Sequence, residues 1–78
     1  MLMKVKVPTK LRVRTAPTFE SPVQGFLHNK TIVNVEEPIE GWAKLTCYWV
    51  GDMKIKCSNS RYVYAKYLKK CRAPKEYG

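Results

Sequence analysis

The side chains able to do chemistry are few, and their spacing limits what they can serve. His28 is the only histidine, and no motif ties it to a nucleophile or a carboxylate, as general acid–base or covalent catalysis requires. Glu36, Glu37 and Glu40 fall in EEPIEG, which reads as a turn before Trp42, where carboxylates solvate a loop rather than work as paired acids. An enzyme is therefore not expected. Cys47, Cys57, Cys71 and His28 make a Cys3His set by count, but no two cysteines keep the C-x2–4-C spacing that brings two thiolates to one zinc. No metal and no cofactor are expected. An odd number of cysteines also argues against a fully paired disulfide framework. A turn centred near Asp52 would set Cys47 and Cys57 opposite each other, where a disulfide needs Cα atoms about 5.5 Å apart. Two reduced cysteines acting as small hydrophobes in a sheet is the preferred reading.

Rings and cations say more. In GWAKL, strand alternation puts Ala43, Leu45 and Cys47 on one face and Trp42, Lys44 and Thr46 on the other, so Trp42 is expected at least partly outside the core. In YVYA, Val63 and Ala65 take the core side and leave Tyr62 and Tyr64 facing out. Several exposed rings near one loop mark a binding surface, because contiguous apolar area is otherwise kept from water. The net charge is +9 and unevenly placed: residues 1–15 hold five cations and no acid, residues 16–43 sum to −3, and residues 44–78 sum to +7. If the two ends are neighbours in the fold they form one basic face, with Arg12, Arg14, Lys69 and Lys70 as its candidates. The segment RYVYAKYLKKCR interleaves Tyr62, Tyr64 and Tyr67 with Arg61, Lys66, Lys69, Lys70 and Arg72, a mixture of stacking surfaces and phosphate contacts.

The elements that must position these residues read as strands. LRVRTAP places Leu11 and Val13 on a core face and Arg12 and Arg14 on the other, then stops near Thr15, because Pro17 cannot donate to a ladder and holds Ala16 extended. KVKV, VQGFL, TIVNVEE, WAKLTCYWV, MKIKC and RYVYA follow the same habit, rich in β-branched and aromatic residues and bounded by turn residues. No window holds the helical period. KYLKK offers one helical turn at most, and CRAPKEYG reads as a frayed tail over residues 71–78. Seventy-eight residues make one domain, here residues 1–70. A hydrophobic share of 45% is too high for a disordered chain. The fold class expected is all-β, a small, closed, strongly bent barrel with an extended hairpin near residues 47–58, Gly51 and Asp52 at its turn. The longest apolar run, CYWV, excludes a membrane-spanning helix, and Lys4 and Lys6 break the apolar run that a signal peptide needs. Localisation is left open: cytoplasmic for a stand-alone protein, wall-associated for part of an exported one.

The order of these motifs resembles the bacterial SH3 (SH3b) family over about residues 4–69. That family has a strand of the type L-x-V-R, a loop with a small residue and a proline, then V-x-G-x-L, a V-x-V strand, G-W-x-K and a closing V-x-x-x-Y-L. The chain supplies Leu11, Val13, Arg14, Ala16 and Pro17, then Val23, Gly25 and Leu27, Val33 and Val35, Gly41, Trp42 and Lys44, and Val63, Tyr67 and Leu68. It departs at Ala16 and Lys30, where the family often has Gly, at Arg61, and in the long segment 47–60.

The resemblance implies an SH3-like barrel and a non-catalytic recognition module that grips peptidoglycan peptides or another cell-wall component. It further implies a groove between the loop after Pro17 and the turn before Trp42, with Phe19, Trp42, Tyr64 and Tyr67 as apolar walls and Glu36 or Glu40 facing ammonium groups. A peptide or cell-wall polymer is the expected partner. An intracellular protein-interaction adaptor and a basic nucleic-acid-binding barrel are the alternatives.

Overall fold

A computed structural model describes residues 1–57 and 60–71, and within them the chain is all-β and barrel-like. The eight strands are β1 (Leu2–Val5), β2 (Lys10–Arg14), β3 (Val23–His28), β4 (Ile32–Val35), β5 (Trp42–Val50), β6 (Met53–Lys56), β7 (Tyr62–Tyr64) and β8 (Leu68–Lys70). All pairings are antiparallel, in the order β3-β2-β7-β5-β4-β1-β8, with β6 added to β5. The two end strands are not ladder neighbours, yet Leu27 of β3 and Leu68 of β8 belong to one apolar cluster. The sheet must therefore wrap around that cluster, and alternation decides its content. Val5, Val33, Val35, Leu45 and Val63 are completely buried, while their strand neighbours Lys4, Lys44 and Asn34 point outward or lie half-buried.

Leu11 and Val13 are core residues and Arg12 is exposed, as the LRVR alternation requires. The hairpin is also where it was expected. Val50 pairs with Met53, Gly51 sits at φ +60, and Asp52 has no left-handed φ, the pattern of a two-residue type II′ turn. That turn staggers the cysteines. Cys47 stands opposite Lys56, and the Cys57 N–H donates to the Thr46 carbonyl at 3.0 Å. Cys47 and Cys57 thus lie on adjoining strands one register position apart, both as free thiols along with Cys71.

After Tyr64 the helical content stays within the one turn that KYLKK allowed, but it lies earlier in the chain. A 3-10 turn covers Ala65–Tyr67, and Leu68–Lys70 then forms β8 against β1, pairing Val5 with Leu68, Lys4 with Lys69 and Met3 with Lys70. Burial of Leu68 and the free edge of β1 outweigh the weak helical preference of the segment. Most of the tail expected to fray, residues 72–78, lies outside the described residues.

Candidate functional site

Trp42 begins β5, and Tyr64 ends β7 directly opposite it, so the two rings share the outer face of the sheet. Their centroids are 5.3 Å apart. Phe19, carried by the loop between β2 and β3, packs edge-on against both, at 4.9 Å from each ring. Tyr67 extends the row, 5.9 Å from Tyr64. The four aromatic residues named from the sequence are therefore assembled, but Trp42 is not the exposed ring that alternation implied. It is only 9% exposed, and it lies outside the barrel's core cluster. Parity was right about its face; the cover comes from Phe19 and Tyr64, which a strand pattern does not reveal.

Arg14 holds that cover in place. Next to an irregularity in the β2–β3 register, its Nη1 donates to the carbonyls of Phe19 and Ser21, both at 2.8 Å. Its guanidinium lies 5.7 Å from the Phe19 ring centroid. The Ser21 hydroxyl, shared between the Ala16 and Thr18 carbonyls at 2.9 and 2.7 Å, closes the loop further. Arg14 is thus spent on folding the loop rather than standing on a free basic face.

The acidic turn is built as tightly. Glu40 and Gly41 have φ of 52° and 85°, the left-handed pair of a type I′ turn, and Ile39 and Trp42 exchange backbone hydrogen bonds of 2.8 and 3.0 Å across it. Glu36 makes an exposed 3.8 Å ion pair with Lys44, a contact worth little in stability.

The single groove expected between loop and turn is in fact two, divided by Phe19 over Trp42. One groove, of about 520 Å³, runs between Pro17 and the acidic turn, with Glu36, Glu37, Glu40, Ile39, Trp42 and Tyr62 along it. The other, of about 490 Å³, lies on the far side of the loop and takes Phe19, Trp42, Tyr64 and Tyr67 together with Lys10, Arg12, Arg14 and Phe26. Trp42 borders both; Glu36 and Glu40 share a groove with Trp42 but not with Phe19, Tyr64 or Tyr67. Lys69 and Lys70 line neither, standing on β8 beside β1. The four proposed basic-face residues therefore do not share one concavity.

Phe26 and Lys10 were missed. The signal was present in VQGFL, where Phe26 has the parity opposite to the buried Leu27 and is 54% exposed. The Lys10 Nζ stands 5.1 Å from its ring centroid. His28, on the exposed side of β3 opposite Lys10, joins no cluster of metal-ligating side chains, and none exists among the described residues. No helix among the described residues is long and apolar enough to cross a membrane. Compared with protein-family models, with curated proteins and with solved structures, the chain matches none.

Proposed function

We propose that the protein is a non-catalytic recognition module of bacterial SH3 type that binds a peptidoglycan peptide or a similar wall-derived peptide in the groove between Pro17 and the acidic turn. The observation that carries this reading is the composition of that groove: Trp42, Tyr62, Pro17 and Ile39 offer apolar walls, and Glu36, Glu37 and Glu40 line the same space. An extended peptide bearing a free ammonium group satisfies both. Its aliphatic stem lies on the rings, and its charge meets carboxylates at the rim, where the contribution is to orientation and encounter more than to affinity. Ile39 is 75% exposed, which leaves it free to be covered by a ligand.

Titration of isotopically labelled protein with purified peptidoglycan fragments, followed by NMR, tests the reading. The Trp42 indole and the backbone amides of Glu36–Gly41 are expected to shift, and Glu40→Gln is expected to weaken binding severalfold. Capture of a protein from a lysate, with no binding to purified walls or their fragments, would replace this reading with an intracellular adaptor.

A further inference from the structure

Two grooves on one small barrel differ in sign. Three acids line one, with Lys44 paired to Glu36 as its single cation; the other has Lys10, Arg12 and Arg14 in its lining and no acid. Arg14 is occupied by loop carbonyls, whereas Arg12 is exposed and has no acid within ion-pair distance among the described residues. Three rings of this cationic groove are open to solvent, Phe19 at 59%, Phe26 at 54% and Tyr67 at 38%, and Phe19 is already packed edge-on against Trp42 and Tyr64. Phe26 is the cross-strand partner of Arg12 and stands beside Lys10, so cation and ring alternate along one wall.

The cationic surface continues beyond the groove. The Lys6 N–H donates to the Tyr67 carbonyl at 2.8 Å, so Lys6 adjoins the Tyr67 end. Lys69 pairs across the strands with Lys4, and the close approach of Lys6 holds the Lys69 ammonium below its ordinary value. Like charges set opposite each other on paired strands oppose folding. The described residues carry no acid that forms an ion pair with any of them. Such an arrangement is relieved by a ligand that brings negative charge at regular intervals.

We propose that the groove formed by Lys10, Arg12, Phe26, Tyr64 and Tyr67, extended by Lys6 and Lys69, is a second binding site, and that its ligand is single-stranded nucleic acid. Phosphates follow the cations while unpaired bases stack on the open rings, the combination that binds single strands without reading sequence. The rings decide against a polyol phosphate or an acidic peptide, either of which would use the cations and leave Phe26 and Tyr67 without a flat partner. The site is independent of the peptide groove except for the shared border at Trp42.

Fluorescence anisotropy with a labelled 20-nucleotide oligo(dT) tests this on the whole chain. With the four cations of the site engaged and a single-strand slope of about −0.7 per phosphate contact, affinity should fall roughly 50-fold between 50 and 200 mM salt. Arg12→Gln should weaken binding and flatten that slope by about 0.7. Phe26→Leu and Tyr67→Leu, which keep an apolar side chain but remove the ring, should each weaken binding about fivefold or more at constant slope. Glu40→Gln, in the other groove, should not weaken it. Absence of saturable binding at 50 mM salt overturns the proposal. So does binding that both ring variants leave intact and that poly(glycerol phosphate) or polyglutamate displaces equally well, since the site would then read charge alone.

Discussion

Replacement of Trp42 by alanine separates a ring that merely decorates the barrel from one that belongs to its structure. A tryptophan side chain buries about 150–250 Å², and Trp42 is only 9% exposed. At about 25 cal/mol per Å², the lost burial corresponds to roughly 3.5–5.5 kcal/mol. Two features reduce the measured cost. Phe19 sits on a surface loop, is itself 59% exposed, and can fold inward over the space; the site also lies on the outer face, where collapse needs no movement of the barrel core. The expected loss is therefore about 3 kcal/mol, the low end for large aromatic-to-alanine changes. A 78-residue domain holds about 4–12 kcal/mol in all, so the variant should stay folded at 25 °C with its transition moved far towards lower denaturant. Equilibrium urea unfolding followed by far-UV circular dichroism measures the change, and Trp42→Phe should cost less than half as much. A loss below about 1 kcal/mol at unchanged m-value would refute the argument, because the ring would then have been in contact with water all along.

Lys30 adopts φ 71°, a region that costs a residue with a Cβ about 1–2 kcal/mol; Lys30→Gly should therefore raise stability by about 0.5–1 kcal/mol after the extra entropy of glycine in the unfolded chain, and a destabilised variant would show that the lysine side chain is itself anchored. Arg14→Gln removes both 2.8 Å donations to the loop and should make Trp42 more accessible to acrylamide quenching at a stability cost of about 1 kcal/mol; unchanged quenching would mean that the loop stays closed without it. Burial pushes the Cys57 thiol above its ordinary value of 9.0, against the pull of the Arg61 charge and with a smaller push from Cys47, so alkylation at pH 8 should be slower than in the unfolded chain. The unfolded thiol ionises first, so the contribution of Cys57 to stability is present below about pH 9 and is lost as pH rises further; alkylation at the unfolded rate would remove the basis for both statements. Lys69→Glu should raise the melting temperature by replacing a like-charge contact with Lys6 and Lys4 by an attractive one, and a lower melting temperature would show that the lysines are already neutralised.

The strands were legible because their code is local. Leu11 and Val13 against Arg12, or Ala43 and Leu45 against Lys44, declare their faces within three residues, and Gly51-Asp52 declares the hairpin turn. β8 was not legible: LKK is too short to show a period, and its reason for being a strand is the open edge of β1, more than sixty residues earlier in the chain. The aromatic row was legible as a set of outward rings but not as a packed cluster. Its closure depends on Phe19, whose position is fixed by the Arg14 side chain and not by any strand. Charge at Arg14 was read as available for a partner because sequence gives no sign that loop carbonyls, five and seven residues on, would take it.

The same loop explains why one expected groove became two. A loop that only flanked Trp42 would leave a continuous trough from the acidic turn to β2, with Glu40 and Arg12 along one surface, and ligands of either charge would meet both attraction and repulsion. Because Arg14 draws the Phe19 carbonyl inward, the Phe19 ring lies against Trp42 and Tyr64 and forms a ridge. The acids then fall on one side and the unpaired cations on the other, each beside its own rings. Exposed charges separated by more than one Debye length, about 8 Å at physiological salt, are largely screened from each other. On the two proposals above, each groove holds a ligand of its own sign preference. If Arg14→Gln removes the ridge, the two surfaces should merge, and the selectivity of each for charge should decline together; loss of selectivity in one groove alone would mean that the division is made by something other than this loop.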